Sequence, residues 1–451
     1  MNDARFRTAK DFGALGDGEA FDGPAIQAAI DAVSAGGGGE VVLPPGGYVS
    51  GSLFLRDGVV LRLDEGAALL GSRDPRDYPV VEGRWEGVTR EVHAGLVHAR
   101  GARGIGVVGG GIVDGRGQEW WRLFRSGALD RPRPRLVSVE DCEDVVLEGF
   151  RAKDSPSWTI NPVRSRNVTI AGLSIINPPD SPNTDGIDPD SCSRLNISDC
   201  YISVGDDCIA IKAGSELESP GMRAPCEGVM VSGCVLERGH GAIVLGSEMS
   251  GGIRDVLVKD CVFRGTDRGI RMKSRRGRGG AVERFRAKGI EMRDVPCPFT
   301  INMRYHCGGA RGDPEVADFG PRPFGAGTPA FREIAFESIR AFGATVAAAW
   351  LDGLAESPIE GASFKNVSID LGGDSAPVPA EMSDWAPPLS RAGFCAFDVQ
   401  GLRLENLYIG GQEGPAYVLG GCEGVRHLGC DPEPAASSSE GGRLSLLSAR
   451  R

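Results

Sequence analysis

Residues 183–212, NTDGIDPDSCSRLNISDCYISVGDDCIAIK, hold six aspartates in thirty positions, two of them adjacent at Asp206 and Asp207. Crowded carboxylates repel one another and lose solvation when enclosed, so ionisation of at least one is disfavoured. Such a cluster serves as a solvated acidic turn, a cation site or an acid/base device, and an isolated Asp-Asp pair reads most simply as the first. The choice depends on whether other reactive side chains fall in the same place, and therefore on the elements that carry them.

A short pattern, apolar-x-apolar-x-x-apolar-x-apolar, starts at Ile105, Val145, Val168, Leu195, Val229, Val256, Phe285, Ile334, Ala362 and Leu402. Its first three residues alternate as a strand does, and the two-residue break passes the alternation to a second short strand, so each repeat is a strand, a bend and a strand. From Val145 to Phe285 the steps are 23, 27, 34, 27 and 29 residues. Each step must bring the chain back to an equivalent position, because one coil cannot bury its own apolar face and stacked coils can. The pattern predicts an all-β fold, a single-stranded right-handed parallel β-helix. A propeller needs about four strands per ~40 residues and a leucine-rich solenoid needs a leucine spacing that is absent here. Asp22 and Pro24 open a helix bearing Ile26, Ile30 and Val33, followed by glycines, which reads as a short N-terminal cap on the first coil. No linker interrupts residues 1–432, expected to form one β-helical domain, and residues 433–451 read as a polar, mobile tail.

An apolar residue follows fourteen positions after three repeat starts, at Ile209, Ile243 and Ile270, and Ile187 is its earlier counterpart. Side by side the segments read TDGIDPD, DDCIAIK, HGAIVLG and DRGIRMK. In this register Asp185 stacks with Asp207 and Asp206 with His240, while Arg271 and Lys273 stand one or two rungs away. Isoleucine, leucine and methionine face the core, and Asp188, Lys212, Arg271 and Lys273 face outward. Solvated turns would scatter their acids among rungs; three carboxylates, an imidazole and two cations on one patch favour catalysis. Cys200, Cys234 and Cys261 share the sixth repeat position, which predicts an inward thiol ladder rather than a redox or metal site.

The segments NTDGID, GDDC, GHG and RMK resemble, in order and approximate spacing, the signature set of the polygalacturonase family of glycoside hydrolases, right-handed parallel β-helices that cleave α-1,4-galacturonan. DFGALGDG, GGGIVDGRGQEWW and SPSWTINP extend the resemblance over most of the chain. Met272 stands where isoleucine is usual, at a core-facing position. The resemblance implies inverting hydrolysis with Asp206 as general acid, Asp185 and Asp207 holding the attacking water, and His240 keeping the acid protonated and oriented. It also implies substrate contacts from Asn183 and Tyr305. Arg271 and Lys273 suit a galacturonate carboxylate, the first with paired donors and the second as a compact charge. Acids on adjacent rungs lie about 5 Å apart, a spacing typical of retaining enzymes, and inversion is kept because two of them can share one water. The basic run RMKSRRGRGG reads either as a guide for a polyanion or as a solvated loop. His306, Cys307, Trp120 and Trp121 receive no role.

Composition fits this reading without deciding it. The 451 residues include 67 glycines and 29 prolines, as a turn-rich fold requires, and a net charge of -11 argues against nucleic acid as the partner. No apolar run reaches the roughly 18–20 residues of a membrane span and the N-terminus shows no signal-peptide core, so a cytoplasmic protein is expected. Twelve cysteines then read as reduced core thiols, and no zinc-type spacing occurs, so neither metal nor cofactor is expected. The expected partner is a pectic oligosaccharide or galacturonan. Steps of 40, 49 and 40 residues after Ile105, Phe285 and Ala362 imply long loops that close one end of a groove, and with the missing export signal they point to exo action on short chains. Other readings are a rhamnogalacturonan or xylogalacturonan hydrolase, a calcium-dependent lyase with the acids as metal ligands, and a non-catalytic β-helical glycan-binding protein.

Overall fold

The fifth position of every repeat is left-handed: Gly109, Gly149, Gly172, Asp199, Gly233, Asp260, Gly289, Ser338, Asn366 and Asn406 have φ between 52° and 108°. Nine of the ten are Gly, Asn or Asp, the types that enter this region at least cost. A single left-handed residue turns the strand and resets the side-chain alternation, so that the sixth position faces inward although the third did too. The residue just ahead of each repeat is left-handed as well, with φ from 52° at Arg284 to 69° at Gly401. The bend read from the two-residue break is therefore a backbone device, set twice per coil.

The computed structural model describes residues 6–306, 312–374, 376–383 and 385–434, so the tail lies outside the described residues from position 435 onward. It divides into two compact units, Met1–Ala210 and Ile211–Arg451.

In the first unit Val107 pairs with Leu147, Leu147 with Ile170 and Ile170 with Ile197, all parallel and all third repeat positions. Ahead of the first repeat, Gly39–Leu43 and Val59–Leu63 pair in parallel, and Val59–Leu63 continues onto Arg103–Val108. Their match to the pattern is loose in sequence, but their inward residues are buried all the same. A separate parallel sheet runs Leu53–Phe54, Val97–Arg100, Val137–Glu140, Ile160–Val163, and a bridge carries it to Ile187 and then Ile209. Helix α1 (Gly23–Ala35) buries Ile26, Ala29, Ile30 and Val33, as its spacing requires. The Asp22 side chain makes no cap to it; it accepts instead from the amides of Leu15 (2.7 Å) and Gly16 (3.0 Å) and fixes the preceding turn.

In the second unit the third positions pair in the same way, Val231 with Val258, then Ala287, Phe336, Phe364 and Leu404. A parallel sheet on another side runs from Ile243–Gly246 through Arg268–Lys273 and Cys297–Asn302 to Ala347–Asp352, Ala392–Phe397 and Tyr417–Gly420. Ile243 is paired with Ile270, the register anticipated. Cys234 and Cys261 are buried in the bends of neighbouring coils, and a hydrogen bond between the two thiols together with burial raises the pKa of Cys261. Both units are thus stacks of parallel β coils, an all-β solenoid architecture.

The bend makes a prediction that packing alone does not. A Cβ at Gly172 would meet nothing within 4 Å, yet φ there is +62°. Gly172→Val is expected to destabilise by about 1–2 kcal/mol and Gly172→Asn by less, read from chemical denaturation. Equal losses would mean that the left-handed turn is not the constraint.

Candidate active site

The three acids come together in the first unit. Asp185, Asp206 and Asp207 each place a carboxylate oxygen within 4.8 Å of the others, Asp185 and Asp207 buried and Asp206 half-buried. The rungs cause this. Thr159 N donates to Asp185 O (2.9 Å) and Gly186 N to Asp207 O (3.0 Å), so Asp185 sits one rung from Asp207 as the register required. Gly186 allows that approach, since a Cβ there would lie 2.4 Å from Cys208 O and 2.6 Å from Ile202 Cγ2. Gly205 does the same for the next turn, where a Cβ would meet Ser181 O at 2.4 Å. Asp207 N then donates to Asp206 Oδ1 (3.0 Å), which orients the Asp206 carboxylate.

The loop ahead of Asp185 is held by bonds that the repeat pattern does not reveal. Asn177 Nδ2 donates to Thr184 O (3.2 Å) and Thr159 Oγ1 (2.9 Å), and the Ser181 and Thr184 hydroxyls are 2.5 Å apart. Asn183 accepts at Oδ1 from Arg133 (2.7 Å), whose other donors reach Pro182 O and Pro156 O. Burial pulls the Arg133 guanidinium down to about 10, against the attraction of Asp185. Behind the acids, Asp190 pairs with Arg84 (2.9 Å), and Arg135 lies buried at 5.3 Å and 5.5 Å from the stacked rings of Trp85 and Trp158. Burial raises the pKa of Glu140 in spite of Arg135, Arg164 and Arg100 nearby. Trp120 and Trp121 are structural: Trp121 donates to Ser155 O and Trp120 packs edge-on against Tyr78 and His93.

The second unit brings together Arg271, Lys273 and Tyr305. The Tyr305 ring has Arg271 Cζ at 5.4 Å and Lys273 Nζ at 5.3 Å, and its hydroxyl donates to Met382 Sδ (3.5 Å). Arg271 does not stand open as its outward register suggested: it is 5% exposed, and Glu381, fully enclosed, takes its Nε at 2.7 Å and Nη2 at 2.5 Å. Lys212 and Lys273 are buried too, and so in the first unit is Asp188. Outward from the core is therefore not outward to solvent, because loops lie over these positions. Burial pushes the half-buried Glu248 carboxyl up, but Lys212, Arg278 and Lys273 outweigh it and hold its pKa low. His240 is exposed on the turn between Val235–Gly239 and Ile243–Gly246.

The run RMKSRRGRGG is neither a polyanion guide nor a solvated loop. Arg275 and Arg278 both pair with Glu216 (2.7 and 2.5 Å), and Arg276, almost fully buried, pairs with Glu356 (2.6 Å). These arginines fasten loops. His306 donates its amide to Met382 O, while Cys307 lies outside the described residues. Glu216 and Glu381 sit in long loops and Glu248 and Glu356 in short turns, all far from their cations in sequence, and no local spacing marks them.

Stacked parallel coils with carboxylates crowded on adjacent rungs define a β-helical glycoside hydrolase. Residues 85–383 match Glycosyl hydrolases family 28, and residues 6–83 match the group described as Rhamnogalacturonase A/epimerase, pectate lyase-like. The chain is 33% identical over 384 residues to a probable polygalacturonase of Vitis vinifera, covering 83% of this chain and 76% of that protein. It is 30% identical over 338 residues to a polygalacturonase of Ralstonia solanacearum, with 63% of this chain and 62% of that one covered. Among solved structures, the exopolygalacturonase of Thermotoga maritima is similar with a TM-score of 0.72 and 27% identity, over 82% of this chain and 87% of that one. The protein belongs to glycosyl hydrolases family 28, the polygalacturonase family, and its fold is the right-handed parallel β-helix.

The Arg271–Glu381 pair carries a pH signature. Burial opposes ionisation of Glu381, but Arg271 overrides it and the carboxyl falls from 4.5 to about 2. A lowered folded pKa stabilises the fold fully above the unfolded value and is lost as pH falls through the folded one. Glu381→Gln is expected to cost roughly 3 kcal/mol at neutral pH. The gap to wild type should close between about pH 4.5 and about 2 in denaturant titrations. A gap that stays constant on acidification would contradict the assignment.

Proposed function

We propose that this hydrolase cleaves α-1,4-galacturonosyl linkages of oligogalacturonan, taking units from a chain end. The observation that carries the hydrolytic reading is the convergence of Asp185, Asp206 and Asp207 within 4.8 Å on adjacent rungs, in a chain of family 28. Asp206, the least buried of the three, is the proton donor to the leaving oxygen. Asp185 and Asp207, side by side one rung apart, hold the water that attacks from the opposite face, so the anomeric configuration inverts. His240, assigned from its motif, supports the donor. Asn183, Lys273 and Tyr305 are the substrate contacts that the family motifs imply, and within the second unit Arg271, fixed by Glu381, holds the Tyr305 ring beside Lys273.

Exo action is supported by the similarity to the Thermotoga maritima exopolygalacturonase and by the long loops. The 40-residue step after Ile105 carries helix α2 (Gln118–Arg125), and the 40-residue step after Ala362 carries Glu381.

Asp206→Asn is expected to lower kcat by at least ~10² while leaving KM and melting nearly unchanged. Near-wild-type turnover in the folded variant would remove Asp206 from the donor role. Product analysis on polygalacturonate separates the modes of attack: reducing ends should accumulate as short products while viscosity falls slowly, and an early viscosity collapse with a broad product ladder would mean endo cleavage. The same three carboxylates are also within reach of one divalent cation. With the acids acting as proton donor and base rather than as cation ligands, turnover should persist in excess chelator, and ultraviolet-absorbing unsaturated products that require calcium would establish a lyase instead.

A further inference from the structure

Beside the acids, in the first unit, lies a cavity of about 240 Å³ that the four family motifs do not account for, except that Asn183 forms part of its wall. At ~30 Å³ per water it holds about eight waters, the space of one sugar ring rather than of a chain. One wall is the antiparallel hairpin Val80–Trp85 and Val88–His93, which contributes Trp85, Glu86 and Arg90. The other is α2 and the segment behind it, with Phe124, Arg131 and Arg133.

The charges here are unequally committed. Arg131 pairs with Glu91 (3.1 Å) and Asp130. Arg133 is spent on Asn183 and two carbonyls, and it lies 4.0 Å over the Phe124 ring. Arg90 is exposed, and among the described residues its guanidinium makes no hydrogen bond or ion pair. Phe124 is 45% exposed, its ring covered on one side by Arg133, at the edge of a pocket that Glu86 and Asp130 also line. An uncommitted guanidinium and a half-exposed ring across one cavity form a pair of contacts suited to an acidic sugar: paired donors for its carboxylate and an apolar surface for its ring. The hairpin behind Arg90 is rigidly backed, since Trp85 stacks on Trp158 at 4.6 Å and Arg84 is tied to Asp190. Asn183 is two residues from Asp185, at most about 7 Å of chain, so the cavity is adjacent to the acids rather than remote.

We propose that this cavity is the subsite for the terminal uronate of the substrate, with Arg90 binding its carboxylate and Phe124 its ring. The proposal rests on the galacturonan reading above and gives exo action a physical cause: the hairpin and α2 wall two sides of a pocket about one unit in size. Arg90 is then the residue that makes the enzyme select an acidic end.

The test compares initial rates on trigalacturonate with rates on the same trimer methyl-esterified at its terminal residues. Wild type should prefer the free acid. Arg90→Gln should lower kcat/KM on the acid at least tenfold, mostly through KM, and abolish the preference, with Arg90→Lys recovering part of both. Phe124→Ala should raise KM on acid and ester alike. An Arg90→Gln enzyme with unchanged kcat/KM and unchanged preference would overturn the subsite while leaving the hydrolase intact. A wild type inactive on every galacturonate oligomer would overturn the galacturonan reading and the subsite with it.

Discussion

Parallel backbone pairing fixes the distance between successive coils at about 4.8 Å, and the rest of the structure follows from that spacing. It makes like positions of successive repeats neighbours, so an inward apolar residue needs an apolar residue above and below it. The same spacing sets what stands next to what outside the core. Asp185 and Asp207 are close because their glycine-bearing turns occupy adjacent rungs, and Gly186 and Gly205 are required because a side chain at either would strike the backbone of a neighbouring segment. The acid cluster is a consequence of register, not of a loop folding over.

Coil stacking alone does not explain how charge is managed. Side chains that leave the core on these strands emerge beneath loops inserted between coils, and a buried charge must be paired or lose its ionisation. The solution here is a set of long-range ion pairs, Arg84 with Asp190, Arg271 with Glu381, Arg276 with Glu356, and Arg275 and Arg278 with Glu216. Each joins a strand or its turn to a loop tens of residues away in sequence, and so fixes the loop as well as the cation. The dense run of arginines after Lys273 is thereby consumed in holding the molecule together.

This separates what the sequence makes legible from what it hides. The strand-bend-strand repeat, the pairing of third positions and the meeting of Asp185 with Asp207 could all be read in advance, because a solenoid turns spatial adjacency into a sequence period. The packing of Tyr305 against Arg271 and Lys273 was not read in the sequence, which offered Tyr305 only through the family resemblance. The coils before Ile105 escaped because their spacing is irregular, although their strands pair in the same way. Glu381, Glu248, Arg133 and Asn177 escaped for a different reason: the first and third lie in the 40-residue steps and the other two in turns outside the repeated octet, where no period marks them. The solvated reading of the basic run failed on the same ground, since its partners at Glu216 and Glu356 are invisible without the fold.

A division of labour follows. The coils supply the acids, whose placement cannot vary without breaking the ladder, whereas the insertions supply the surroundings, whose length and charge can change at little cost to the stack. Specificity for an acidic chain in a protein of net charge -11 then has to be local, since the overall field repels a polyanion. Local recognition requires cations with no internal partner, and most arginines of the second unit's loops have one. Arg90 sits on a hairpin already held by the stacking of Trp85 on Trp158 and by the buried Arg84–Asp190 pair, so its own side chain is not needed to fasten the strand. The packing that makes the hairpin rigid is thus also what leaves its charge for the substrate.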